Sequence, residues 1–219
     1  MVTNVILTIS VIEGDAAMNI DLTSWNKVRE EKQKIVINAG FLCFGQNGYK
    51  KTSVQDIATA ANISKASLFQ YFGSKKDMYL FLYDFAGREI DRRVPVGMDD
   101  YFDCAEGYIQ TMAIVSRDYP NLFEFLILQA QRRDFSEIEE LLDVANDVCE
   151  TNLDTIFAHV DWGRFRDGFD QETVMNLFNW ITAGCMSQLS GTMSQEKVYE
   201  EMMRYLKLLK PAMYKPKYV

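Results

Sequence analysis

Three serines constrain this chain more than any other feature. Ser53, Ser64 and Ser74 each stand just ahead of a short apolar stripe at helical spacing, and Ser53 and Ser74 are followed three residues later by Asp56 and Asp77. A serine hydroxyl in that place takes up an unpaired amide of the first helical turn, and an acid at the third position can return a bond to the serine's own amide. Starts this closely spaced leave room for helices of only about two turns and for tight connections between them.

The stripes on either side agree. Lys27 to Gln46 is predicted as a first helix, with Ile35, Ala39, Leu42 and Cys43 at helical spacing and Asn47-Gly48 as its stop. A second, short helix starts at Ser53 and carries Val54, Ile57, Ala58 and Ala61 on its inner side. After a turn at Asn62, Ser64 caps a third helix in which Leu68 and Phe72 face inward and Ile63 anchors the turn. The opposite face must then present Lys65, Ala66, Ser67, Phe69, Gln70 and Tyr71 to solvent.

Two short helices joined by a tight turn, the second exposing an amide, hydroxyls, a lysine and aromatic rings, form a helix-turn-helix whose second helix can enter the DNA major groove. Gln70 can offer a donor and an acceptor to adenine, Ala66 and Phe69 can lie against a thymine methyl, and Ser67 and Tyr71 can reach phosphates. The amides of the helix opened by Ser74, together with Lys75, make a phosphate site. Charge fits this reading. Lys27 to Lys76 holds nine basic and three acidic residues, a net of +6, which leaves −14 on the remainder of a chain of formal charge −8. A basic segment on an acidic body suits a protein that meets a polyanion at one end, although two ordinary solvated faces would show the same division.

The run GYKKTSVQDIATAANISKASLFQYFGSKKDM, Gly48 to Met78, resembles the DNA-binding domain of the tetracycline-repressor (TetR) family of bacterial regulators. The resemblance implies that Thr52, Ser67, Tyr71 and Lys75 contact phosphates and that Lys65, Ala66, Phe69 and Gln70 lie at or near bases; Ser53, beside Thr52, is counted among the DNA-facing residues. Asn62 and Ala66 stand where the family often has glycine, and Phe69 where tyrosine is common, so position 69 keeps an apolar contact and lacks a hydroxyl.

The expected fold class is all-α: an amino-terminal three-helix helix-turn-helix domain at 24–73 and a larger helical effector-binding and dimerisation domain at 74–219. Residues 1–23 form an extension. Residues 1–17 open with an apolar, β-branched run, but no Lys or Arg precedes Lys27 and no small-x-small cleavage site follows, so a translated extension or flexible arm ahead of Met18 is expected rather than a secretory signal. Further helices are predicted from Ser74 to Val94, and at about Asp100 to Arg117, Asn121 to Arg132, Ser136 to Val160, Asp170 to Leu189 and Ser194 to Leu209, with Pro211 closing the last.

In the body, small residues in a row, Ala183, Gly184, Ser187 and Gly191, allow close helix approach, and Val198, Met202 and Tyr205 offer an apolar partner stripe. They are candidates for a homodimer interface, as the family resemblance also implies, or for packing inside one subunit. Large adaptable side chains, Tyr83, Tyr108, Met112, Phe125, Met175, Phe178 and Trp180, are candidates for a small-molecule effector cavity or for plain core. The charge of the body points to cationic lipophilic effectors.

The expected partners are double-stranded DNA with a palindromic operator, a small, largely apolar effector and a second copy of the chain, with no membrane partner, in the cytoplasm. The expected regulator is a dimeric repressor released by its ligand; an adaptor acting through protein contacts is the rival. An enzyme is not expected. His159 is the only histidine, Cys43, Cys104, Cys149 and Cys185 are scattered without a Cys-x-x-Cys pair, and no glycine-rich phosphate loop is present. No cofactor or metal is expected, since acids at a helix start such as Asp99, Asp100, Asp103 and Glu106 are favoured by the helix dipole alone.

Overall fold

The computed structural model describes residues 22–131, 155–190 and 193–219. The expectations for residues 1–17, for Gly191, for Cys149 and for most of the helix predicted at Ser136 to Val160 lie outside the described residues.

The described chain is helical, with one isolated bridge between Phe165 and Tyr214 and no strand. A short 3-10 turn at Trp25–Lys27 leads into α1 (Glu30–Lys51), α2 (Val54–Ala60), α3 (Lys65–Phe72), α4 (Lys75–Asp91), α5 (Tyr101–Asp118), α6 (Leu122–Gln131), α7 (Gln171–Met186) and α8 (Gln195–Met213). No helix among them is long and apolar enough to cross a membrane.

Helix α1 is the centre of the molecule. It packs on α2, α4 and α6, so it buries Val36, Ile37, Ala39, Phe41, Cys43 and Phe44, whereas Ile35, expected on the inner stripe, is 53% exposed. A helix covered on several sides has no single stripe, and the spacing read from Ile35 picked the wrong phase. At Gly48 the backbone leaves helical geometry (φ 74°, ψ 174°), which breaks the helix where Asn47-Gly48 predicted a stop; the following turn runs on to Lys51.

The core does not divide at residue 73. Phe41 and Phe44 of α1 meet Phe125 of α6 with ring centroids 5.2 and 6.4 Å apart, and Tyr79 of α4 packs on Phe44 and Phe125 at 5.0 and 5.3 Å. Each such ring, fully buried, contributes about 1.5–3 kcal/mol of apolar transfer free energy. Gly45 makes the crossing possible, because a Cβ there would meet the Phe125 amide nitrogen at 3.2 Å. The core also begins inside the expected extension at 1–23, since Leu22 is buried in it beside Trp25.

Two helix ends differ from expectation. α4 stops at Asp91, and Val94 is held by a bond from its amide to Ile90 O rather than by helix. α8 runs through Pro211 to Met213: the proline sits in the last turn, where few carbonyls lose a partner, and Leu206, Met213 and Tyr214 stay buried around it.

Candidate DNA-binding surface

The helix-turn-helix is built by its caps. Ser53 Oγ accepts from Asp56 N at 3.2 Å and Asp56 Oδ2 accepts from Ser53 N at 2.8 Å, a reciprocal pair that opens α2. The Ser53 amide first, and the Ser53 hydroxyl second, hold the Asp56 carboxyl below its ordinary range. α2 ends with Asn62 in the left-handed region (φ 51°), a conformation asparagine tolerates better than most side chains, and Ile63 N donates to Ala58 O across the turn. Ser64 then caps α3, its Oγ accepting from Ser67 N at 3.0 Å and lying 2.8 Å from Ser67 Oγ.

Leu68 and Phe72 are buried, as the spacing predicts, so α3 turns Lys65, Ala66, Phe69 and Gln70 to solvent and leaves Ser67 and Tyr71 half-buried. Phe69 is 43% exposed, and the Lys65 ammonium lies 5.7 Å from its ring centroid. The face therefore carries an amide that can pair with a base edge, an apolar ring and a cation, with Lys51 and Lys76 also exposed nearby in sequence. Gly73 (φ 73°) releases the chain into Ser74, whose Oγ accepts from Asp77 N and donates to Asp77 Oδ2.

Two expected phosphate contacts hold the fold together in this state. Thr52 is 1% exposed, and its hydroxyl lies 2.8 Å from both Cys43 O and Gly48 O, so it is turned into the α1 end rather than outward. Lys75 Nζ donates to Tyr49 O at 3.1 Å and Thr52 O at 3.3 Å and stands 4.1 Å from the Tyr49 ring centroid. It fastens the start of α4 to the α1–α2 junction.

Trp25, which sequence reasoning passed over, is 3% exposed and packs on Tyr71, Phe72 and Phe81. Its only sequence signal is the pair Leu22 and Trp25, three apart, ahead of the first predicted helix.

The body separates the other candidates. Tyr83 and Phe125 lie in the α1–α4–α6 core, with ring centroids 6.3 Å apart, while Tyr108 meets Phe178 between α5 and α7 at 5.9 Å. Met112 is buried, Met175 half-buried and Trp180 70% exposed. None of these seven lines the open groove of about 780 Å³ between α5 and α8, whose walls include Ile109, Arg117, Tyr199, Met203 and Lys207. Of the dimer candidates, Val198 and Met202 are buried within the subunit at 1% exposure, whereas Ala183, Gly184, Ser187 and Tyr205 are at least partly exposed. Helical spacing put both sets on one stripe; the buried pair packs inward and Tyr205 outward. The acids at the start of α5 meet cations: Arg164 binds Asp99 and Asp100, and Lys210 Nζ lies 3.2 Å from Asp100 Oδ2.

An α1–α5 contact ties the body to the DNA-binding helices. Lys34 Nζ donates to Asp118 Oδ1 at 2.6 Å and Asn38 Nδ2 to Asp118 O at 3.1 Å, while the Tyr119 ring packs on Phe41 and Phe85. Arg93, bonded to the buried Glu89 of α4, approaches the same Asp118.

A capped helix-turn-helix with an outward polar and aromatic face, joined to a helical body, has the architecture of a DNA-binding domain carried on a larger helical one. Residues 36–81 match the model of the bacterial regulatory proteins of the tetR family, so this segment is a helix-turn-helix domain of the tetR type. It is 39% identical to the HTH-type transcriptional regulator YuxN of Bacillus subtilis over 135 residues, 60% of this chain and 44% of YuxN. It is 50% identical over 48 residues to IcaR of Staphylococcus aureus, the HTH-type negative transcriptional regulator of the biofilm operon icaADBC, a match covering 22% of this chain and 25% of IcaR. The matches thus span less than half the length of these curated relatives. The fold is similar to a tetR family transcription regulator from Shewanella sp. PV-4 (TM-score 0.59, 17% identity, 85% of this chain and all of that one). It is also similar to the TetR family regulator PfmR of Thermus thermophilus (TM-score 0.56, 22% identity, 83% and 96%).

Proposed function

We propose that this regulator is a cytoplasmic repressor that binds a palindromic operator as a homodimer and leaves it when a small, largely apolar ligand binds the body. The observation that carries the reading is the outward face of α3, where Lys65, Ala66, Phe69 and Gln70 are exposed on a helix anchored by Leu68 and Phe72. In this reading those four meet bases, and Ser53, Ser67, Tyr71 and the α4 amino terminus meet phosphates. Thr52 and Lys75 serve the same contact indirectly, by fixing the helix ends that do so. The negative role printed for IcaR supports repression.

The homodimer reading draws on the exposed side of α7 and α8. Trp180, Tyr205 and Leu208 are 70%, 38% and 58% exposed, and a Cβ at Gly184 would meet nothing within 4 Å. A second copy would cover these rings and place two recognition helices about one DNA turn, ~34–36 Å, apart.

Release follows from the ties between body and DNA-binding helices. A ligand between α5 and α7, near Tyr108, Met112, Met175 and Phe178, displaces the α5 end that holds Lys34 and Asn38; Arg93 and Glu89 carry the same displacement to α4. The spacing of the two α3 helices changes, and operator affinity falls by the ligand's preference for the displaced state.

The test is enrichment of bound fragments from bacterial genomic DNA. A two-fold symmetric site is expected; fragments enriched without symmetry contradict the palindromic reading, and no enrichment at all favours the adaptor acting through protein contacts.

A further inference from the structure

We infer that Trp25 is a positioning residue for DNA recognition: its indole clamps Tyr71 and so fixes the roll of α3 about its own axis. The inference rests on α3 being the operator-contacting helix.

α3 has eight residues and two fully buried anchors, Leu68 and Phe72. They stand four apart, on one line along the helix. Contacts along one line hold a short rod against its neighbours but resist rotation about that line poorly, and rotation is the motion that would sweep Lys65, Phe69 and Gln70 across the groove. Tyr71 lies about 100° around the helix from Phe72, so a contact there supplies the missing restraint.

Trp25 makes that contact. Its ring centroid is 5.5 Å from Tyr71 and 4.8 Å from Phe72 on α3, and 5.7 Å from Phe81 on α4, so one indole joins the side of the recognition helix to its support. The indole is itself held. It is 3% exposed, Trp25 O accepts from Gln33 Nε2 at 2.9 Å and from Val28 N at 2.9 Å, and Asn26 N donates to Leu22 O at 2.8 Å. The 3-10 turn is thereby fastened to α1. Trp25 lies ahead of residues 36–81, the span that the family model covers.

The test is a double-mutant cycle read by fluorescence anisotropy on an enriched operator fragment, with wild type, Trp25→Leu, Tyr71→Phe and the double variant, at a temperature where circular dichroism shows all four folded. Leucine keeps an apolar side chain in the core and removes the broad ring. Trp25→Leu should weaken binding about tenfold, in line with the loss of its two ring contacts to α3, Tyr71 and Phe72. The cost of Tyr71→Phe should shrink in its presence, and Trp25→Phe should recover most of the affinity.

Hydrogen exchange of free protein supplies a readout without DNA: α3 amides should exchange faster in Trp25→Leu while those of α1 do not. Additive losses, wild-type affinity in Trp25→Leu, or unchanged α3 exchange would each overturn the clamp. A wild type that enriches no DNA sinks the operator reading instead, and the exchange experiment still decides whether Trp25 restrains α3.

Discussion

Lys65 and Lys75 look alike in the sequence, two lysines at helix starts ten residues apart, yet the structure gives them different work. Lys65 is exposed at the first turn of α3; Lys75 is half-buried, bonded to two carbonyls and stacked on Tyr49. Lys75→Ala should therefore lower folding stability by about 1.5–3 kcal/mol, the range for hydrogen bonds to a charged group, and denaturant titration should show it without DNA. Lys65→Ala should leave stability unchanged.

Asp100 gives a pH signature. Burial opposes its charge, but the Asp103 amide, the Lys210 ammonium and the Phe102 amide together hold its carboxyl below the ordinary range. A depressed folded value contributes stability that is complete above the unfolded value of about 3.9 and disappears as pH falls through the folded one. Between about pH 5 and about pH 2, wild type should lose more stability than Asp100→Asn; equal losses in denaturant titrations would count against the network.

Elements built by local chemistry were legible in the sequence. The caps at Ser53, Ser64 and Ser74, the turn at Asn62 and the break at Gly48 depend on residues within a few positions of one another, and each is where the sequence puts it. Gly48 combines φ 74° with ψ 174°, a region nearly closed to side chains, so Gly48→Ala should destabilise by about 1–3 kcal/mol in urea melts. What needed tertiary knowledge was not legible. The phase of α1 failed at Ile35 because neighbours cover several of its sides. Val198 and Met202 could not be told from Tyr205 because burial within a subunit and burial between subunits select the same apolar residues. Trp25 was missed because it precedes the pattern it braces, and the hydroxyl of Thr52 because its inward turn depends on carbonyls that only the Gly48 break brings near.

Across the whole molecule, one core runs from the DNA-binding helices into the body, and the charged contacts of Asp118 with Lys34 and Arg93 border it. In the proposed release, that continuity would carry a change in the body to α3 without a flexible hinge. The exposed rings of α7 and α8 should lie between copies: Trp180→Glu with Tyr205→Glu is expected to convert a dimer to a folded monomer by light scattering and to weaken operator binding, whereas a wild-type monomer contradicts the interface.

Whether the exposed face of α3 reads DNA is decided by salt-titrated anisotropy of wild type and Lys65→Ala on the enriched fragment. If it does, affinity should fall linearly on logarithmic axes as salt rises, Lys65→Ala should bind more weakly at unchanged stability, and Gln70→Ala should lose preference for the enriched fragment. Binding that ignores salt and both substitutions would rule that face out as the DNA-reading surface.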